Sequence, residues 1–257
     1  MSRFALDRRR SRNLALEVGV SLAIVAGVWI YTAHNHTYAI PALSEVLDRF
    51  REAWLFSRVG TDLVPTLERF AIGYLLAIVL GIPLGLALGS SVILRATVEP
   101  VLTFVRSIPP VALIPPAIIL FGIGETTKLL IVLIVSLWPI VLNTLDGLVE
   151  LDATLMATMT SLRLGRRDRF RYVILPALAP RILTGMRTSM VFALVVVIAS
   201  EYLAGTNGVG FFIQQAQQTF DAANMWAGVL LLGIIGYILT LGLNVLERRI
   251  LFWQKAR

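Results

Sequence analysis

The chain has no cysteine, only two lysines among 23 basic residues, and no Gly-Lys pair anywhere in its 257 residues. Without cysteine, disulfides and thiolate metal sites are excluded, and nothing marks the redox compartment. Without Gly-Lys there is no G-x-x-x-x-G-K-[ST] loop to cradle a phosphate chain, so ATP is not bound here in the P-loop manner. Charge is scarce as well, at 15% of residues against 57% hydrophobic, and the mean hydropathy is +0.78. A soluble domain of this size has no interior large enough for so much apolar surface; the chain is read as an integral membrane protein. The net charge of +7 does not argue for nucleic acid, because the basic residues sit in short segments between apolar runs. Lipid headgroups and membrane topology account for that placement. His34 and His36 form an H-x-H, yet no acid or thiol stands beside them, so no metal site is read there. Nor do nucleophiles, acids or metal ligands converge as a membrane-embedded enzyme would require, and the chain is read as non-catalytic.

What is present is a series of long apolar runs. A hydrocarbon core about 30 Å thick takes about 20 apolar residues per helical crossing. Six stretches qualify: 14–33, 66–89, 98–121, 127–145, 182–204 and 226–246. The first follows an Arg-rich start, as in a signal peptide, but it is long and lacks a small-x-small cleavage site, so it is read as retained. The sequence thus predicts an all-α, six-crossing membrane domain over 14–247, with tails at 1–13 and 248–257. Sidedness follows from the basic residues. Arg3, Arg8, Arg9, Arg10, Arg12, Arg95, six arginines between 163 and 181, Arg248, Arg249, Lys255 and Arg257 make 16 on one side, against four (Arg49, Arg51, Arg58, Lys128) on the other. The richer side is cytoplasmic by the positive-inside rule, which places both termini and the long loop 146–181 there. The stretch 41–60 carries Leu43, Val46, Leu47, Phe50, Trp54 and Leu55 at helical spacing, and is read as an amphipathic connector that either lies on the outer surface or buries one face against the bundle. A turn and a short external helix are expected between the last two runs. The five tryptophans are read as interface anchors or packing residues.

Two regions carry chemistry. In the long loop, Asp152 or Thr154 is placed to cap a helix through Leu155, Met156, Met159 and Leu162, and Gly165 to end it. Such a helix, exposing Leu and Met among cations that include Arg163 and Arg166, suits the groove of a soluble partner. In the third apolar run, Pro109, Pro110, Pro115 and Pro116 each remove a backbone donor. Broken helices at membrane depth are tolerated where they are buried in protein or line a cavity, so this run is read as a pathway wall. Arg106 lies several residues inside it, where a cation needs a partner, water or a solute; the competing reading is snorkelling to the headgroups. Arg187 is expected to snorkel. Glu201, near the outer end of the fifth run, is read either as an external gate or partner contact, or as the counter-ion of an interfacial arginine such as Arg69.

The loop resembles the cytoplasmic loop of permease subunits of bacterial ABC importers, whose pattern is Glu-Ala-Ala, three residues, Gly, nine residues, Ile, one residue, Leu-Pro. Counted back from Leu175-Pro176, Val173 falls at the Ile, Arg163 at the Gly, and Ala157, Thr158 and Met159 at Glu-Ala-Ala. The second half agrees and the first departs, with Gly165 two residues late for the expected break. GYLLAIVLGIPLGLALGSS from Gly73, EPVLTFVRSIPPVALIPPAIILFGIGETTK from Glu99 and EYLAGTNGVGFFI from Glu201 are similar to the nitrate, sulfonate and taurine class of these permeases. The resemblance implies a type I importer fold in the bacterial inner membrane, with a second permease copy as a homodimer, two ATPase subunits that bind ATP and Mg, an extracytoplasmic binding protein, and alternating access. It implies a small, anionic solute; relatives that carry aromatic acids or vitamin precursors are the alternative. An ion-coupled secondary transporter is the competing class, and it would be expected to show inverted repeats and intramembrane acids or His.

Overall fold

In a computed structural model, the structure describes residues 19–20, 23–34, 39–151, 155, 158–159 and 161–253. Among these the chain is all-helical. A short apolar helix α1 (Ala23–His34) lies within the first predicted crossing, the rest of which falls outside the described residues. Then come the connector α2 (Leu43–Glu52), α3 (Val64–Gly89), α4 (Val92–Ser107), α5 (Ile114–Phe121), α6 (Glu125–Val149), α7 (Leu175–Ala204), α8 (Val209–Gln218) and α9 (Ala222–Ile250). Four helical stretches are long and apolar enough to cross a membrane: Val59–Gly89, Glu125–Val149, Arg166–Ala204 and Ala222–Ile250. α4 with the Pro110–Phe121 segment supplies one more crossing only as a bent pair.

That bent pair corrects the reading of 98–121 as a single run. The two parts meet at 97°, and the cause is local. Ile108, which precedes Pro109, is extended at φ −81°, ψ 121°, as steric conflict with a proline ring demands, and Pro109 follows at φ −60°, ψ 125°. Helix α4 therefore stops at Ser107. The chain restarts through a 3-10 turn, Pro110–Leu113, into α5. Pro115 and Pro116 break nothing, because they occupy the first turn of α5, where the missing N–H has no helical acceptor anyway.

The bundle is built on α6, which packs along α3 on one side and α7 on the other. On α3 a small residue recurs every fourth position, Gly73, Ala77, Gly81, Gly85 and Gly89, on the face that meets α6. A Cβ on Gly73 would lie 2.6 Å from Val132 Cγ1, and one on Gly85 would lie 2.7 Å from both Thr144 Cβ and the Val141 carbonyl. Lipid tails supply no hydrophobic drive between helices, so close backbone approach through small residues is what holds such a pair. The core beside it combines Phe70, Tyr74, Val132, Val135, Ala193 and Val197 from α3, α6 and α7. The connector buries one face: Val46, Ala53 and Trp54 are buried, and Trp54 meets Phe212 of α8 edge to face at 4.8 Å. Of the two readings of 41–60, packing against the bundle is the one realised, although Leu47 and Leu55 stay exposed. The short helix after the fifth crossing is α8.

Candidate functional site

The break at 108–110 turns α4 away from α5 and leaves a cavity of about 320 Å³ between the break, α6 and α7. Its walls are largely apolar, with Val105, Ile108, Leu113 and Leu142 among them, and Trp138 and Phe192 supply aromatic surface. Polar groups are few: Arg106, Asn143, Asp146 and Thr188. The α6 wall runs from Val135 to Asp146, which at 1.5 Å per residue is roughly 17 Å, from mid-helix to the end bearing the long loop. Arg106 Nη2 lies 3.4 Å from Asp146 Oδ2, and the two side chains are 49% and 46% exposed. Asn143 donates its amide to the Pro139 carbonyl at 2.8 Å. Pro139 has no N–H, so the Val135 carbonyl lacks the donor that position 139 would otherwise supply. Of the residues expected along a pathway, the cavity gathers Arg106 and Pro110; Pro109 and Pro115 are exposed and do not line it.

Glu201 is elsewhere. It is fully buried at the opposite end of the bundle, where it accepts from Arg69 Nη1 (2.6 Å), the Thr66 hydroxyl (2.8 Å) and the Gly210 N–H (3.0 Å). Of the two readings of this acid, pairing with Arg69 is the one the structure shows. Arg69 uses its whole fork: Nε and Nη2 engage Glu125 at 2.5 and 2.7 Å, Nη1 also reaches the Asn207 carbonyl at 3.3 Å, and Nη2 the Asn207 side chain at 2.6 Å. Lys128 closes on Glu125 at 3.1 Å, and buried Asp62 accepts the Gly208 N–H at 2.9 Å. The turn that folds over Glu201 requires glycine. Gly208 sits at φ +112°, and a Cβ there would fall 2.3 Å from the Glu201 carboxyl carbon. Arg187, expected to snorkel, instead bonds Glu247 and Asn244 of α9.

α6 persists to Val149 and a continuous helix starts at Arg166, so helix bounds the loop on both sides. The loop differs from expectation in two respects. First, Leu155, Thr158, Met159 and Ser161 are helical, but Met159 is only 3% exposed while Leu162 is 66% exposed. Met159 is thus folded under the loop rather than offered to a partner; Leu162 is the exposed apolar residue. Second, the stop is not at Gly165, which is ordinarily extended at φ −62°, ψ 154°. Arg163 takes the left-handed conformation at φ +50°, and the Leu164 N–H reaches back to the Met159 carbonyl at 3.3 Å. That is a Schellman stop, with Arg163 at the position where glycine is ordinarily found. Asp152, Met156 and Ala157 lie outside the described residues, as do Thr154 and His36. Arg166 opens the following helix, and a π-helical segment, Arg169–Ile174, leads into Leu175-Pro176. A π turn there accommodates a proline whose missing N–H would otherwise interrupt the ladder.

Three cavity-lining residues carry no signal for that place in the sequence: Asp146 sits at the loop edge of an apolar run, and nothing in the chain order ties Asn143, or Trp138 beyond its reading as an anchor or packing residue, to Arg106. The available signal was the need of Arg106 for a counter-ion. No cluster of three potential metal ligands occurs among the described residues.

A bundle of long apolar helices, one broken crossing and a cavity reaching toward a cationic loop define a polytopic membrane protein of the permease type. The chain belongs to the family described as binding-protein-dependent transport system inner membrane component, whose model matches residues 77–252. It is 30% identical to the taurine transport system permease protein TauC of Escherichia coli (strain K12), over 95% of this chain and 91% of that one. It is 26% identical to the nitrate import permease protein NrtB of Leptolyngbya laminosa, over 92% and 88% of the two chains. Against the putative aliphatic sulfonates transport permease protein SsuC of Bacillus subtilis (strain 168) the figures are 28%, 91% and 83%. In fold it is similar to a chain of the MetNI methionine ABC transporter in an inward-facing conformation, with TM-score 0.62 at 20% identity, covering 74% of this chain and 94% of that one.

Proposed function

We propose that two copies of this chain form the membrane pathway of an ATP-driven importer for a small solute bearing an anionic group. A binding protein delivers the solute on the outer side, and two ATPase subunits, which hold the ATP and Mg, dock on the long-loop side. The chain itself performs no chemistry and binds no cofactor. The observation that carries this reading is the proline-driven break at 108–110, which opens an arginine-bearing cavity toward the same face as the loop. Sixteen of the 23 basic residues belong to that face, which supports assigning it, with both termini, to the cytoplasm. The named relatives carry taurine, nitrate and sulfonates, each with an anionic group that suits Arg106. Six crossings per copy remain the expectation, with α1 as part of the first.

Leu162 is the contact to test. Its exposed side chain stands at the turn that ends the loop helix, and Leu162→Asp would place an unpaired carboxylate in an apolar partner groove. In vesicles containing the complete importer, ATP-driven uptake is expected to fall at least about tenfold, the effect of roughly 1.4 kcal/mol at the contact, while the permease itself keeps its unfolding midpoint. Met159→Asp should instead destabilise the permease. Undiminished uptake and ATP hydrolysis with Leu162→Asp would remove the loop from coupling.

A further inference from the structure

We infer that a phospholipid acyl chain occupies the groove between α1, the connector α2 and α9, and that this hydrocarbon completes the packing of α1 on the bundle. The inference goes beyond the importer reading and needs only the membrane placement of the chain.

The groove encloses about 590 Å³, within the roughly 300–1,000 Å³ of sites that hold a small molecule. No charged side chain lines it, and its polar groups are mostly spent inside the protein. Thr32 is buried, donates its hydroxyl to the Val28 carbonyl at 2.9 Å and accepts the Leu43 N–H at 3.3 Å. The Trp226 indole donates to the Ala39 carbonyl at 3.1 Å. Tyr237, at the other end, adds a single hydroxyl to the lining. A charged solute finds no counter-ion in such a place, whereas hydrocarbon finds a continuous wall that includes Val28, Val46, Val229 and Ile234.

Its position names the hydrocarbon. α9 is an apolar crossing of which only 17% of the most apolar stretch is buried in the protein, so its open side is lipid surface. The groove is cut into that side and continues into it, since Val229, Ile234 and Ile238 are all exposed. Along α9 it runs from Trp226 to Tyr237, roughly 17 Å at 1.5 Å per residue, about half of a hydrocarbon core about 30 Å thick. It begins at a tryptophan, a residue type of the membrane interface, and so has the depth of one leaflet.

Gly233 lies midway along the groove. On α3, a Cβ at Gly73 or Gly85 would collide with α6, because there the missing side chain admits a neighbouring helix. At Gly233 a Cβ would meet nothing within 4 Å, so the missing side chain admits no described protein atom. Walls facing an empty space forfeit their dispersion contacts, and in a bilayer the filler at hand is an acyl chain. α1 points the same way: of Ala23–His34 only Thr32 is buried. A second copy is placed elsewhere, because the cavity at the 108–110 break, from which the two-copy pathway is drawn, shares no residue and no helix with this groove.

The purified full chain is reconstituted with phosphatidylethanolamine and phosphatidylglycerol of matched acyl chains and taken back into detergent. Retained phospholipid and oligomeric state are then read by native mass spectrometry. The wild-type chain is expected to keep phospholipid of either headgroup alike, since the acyl chain is what the groove recognises. Gly233→Leu fills the groove from its middle, and Ile234→Trp fills it from the next position; each should lower retention at least about tenfold while helical content and oligomeric state stay unchanged. Gly242→Leu, equally unobstructed but outside the groove, should retain lipid as the wild type does. Added phospholipid should raise the unfolding midpoint of the wild type and of Gly242→Leu but not of the filled variants, as expected for a ligand held only by the folded state. No retention by the wild type, undiminished retention in both filled variants, an equal loss in Gly242→Leu, or retention that depends on the headgroup would overturn the acyl-chain site. Loss of the oligomer in the filled variants with lipid retention unmoved would overturn it in favour of a second copy.

Discussion

Replacing Arg69 by Met offers the sharpest test of what holds the end of the bundle opposite the long loop. Arg69 is 4% exposed and lies between Glu201, fully buried, and Glu125, 58% exposed. The Met side chain fills the arginine stem but leaves Glu201 with the Thr66 hydroxyl and the Gly210 N–H as its only donors among the described residues. Breaking a buried pair by removing one partner strands the other charge and costs about 3–5 kcal/mol. Glu125→Gln removes the exposed partner instead, and a loss of about 0–1 kcal/mol is expected for a pair so accessible to water. The double variant Arg69→Met, Glu201→Gln removes both buried charges. It should recover at least about 2 kcal/mol of the single-variant loss, because the penalty resides in the unpaired carboxylate rather than in the missing contact. Equilibrium unfolding in mixed micelles, followed by helical circular dichroism, measures all three. If Arg69→Met and Glu125→Gln cost the same within about 0.5 kcal/mol, the burial argument is wrong, and if the double variant is as unstable as Arg69→Met, the stranded charge is not the cause.

Two further outcomes follow from backbone geometry. Gly85→Val should destabilise the chain by about 1–3 kcal/mol or block its folding, since even a Cβ meets Thr144 and the Val141 carbonyl, whereas Gly242→Ala, with nothing within 4 Å, should be neutral or stabilising by up to about 1 kcal/mol in the same unfolding assay. Arg163→Gly should raise the stability of the loop by about 1 kcal/mol, because it relieves an L residue at φ +50°, and local hydrogen exchange at Leu162 and Leu164 should slow; faster exchange would refute the left-handed stop.

The membrane class and most crossings were legible because apolar run length answers directly to bilayer thickness, and α6 and α9 show that signal undisturbed. The third run was not, because hydropathy is blind to chain direction. It counts Ile108 to Phe121 as apolar whether or not Pro109 turns the backbone by 97°. The prolines did announce a break, but four prolines look alike in a sequence, and only their positions relative to the new helix start separate the two that break it from the two that begin it. In the loop, helical spacing put Met159 and Leu162 together, three residues apart. In the fold the two part: Met159 is buried, whereas Leu162, beside the Schellman stop, is exposed. That stop was sought at the nearest glycine. A left-handed arginine is costlier by about 1–2 kcal/mol and so was not the first candidate.

The two charged constellations divide the labour between the ends of the bundle. At the end opposite the long loop, backbone N–H groups of Gly208, Val209 and Gly210 are spent on Asp62, Thr66 and Glu201, which ties the turn to α3 and α7. A fully satisfied buried network rigidifies, since any displacement breaks several bonds in a low dielectric at once. At the loop end, the Arg106–Asp146 pair bridges α4 and α6 by one long polar contact beside the cavity, next to the apolar packing of Leu102 on Leu142 and Leu145. The two ends thus differ in how far their charges are satisfied: the Arg69–Glu201 cluster is buried and closed by its own partners, whereas the Arg106–Asp146 pair stays half-exposed beside the cavity.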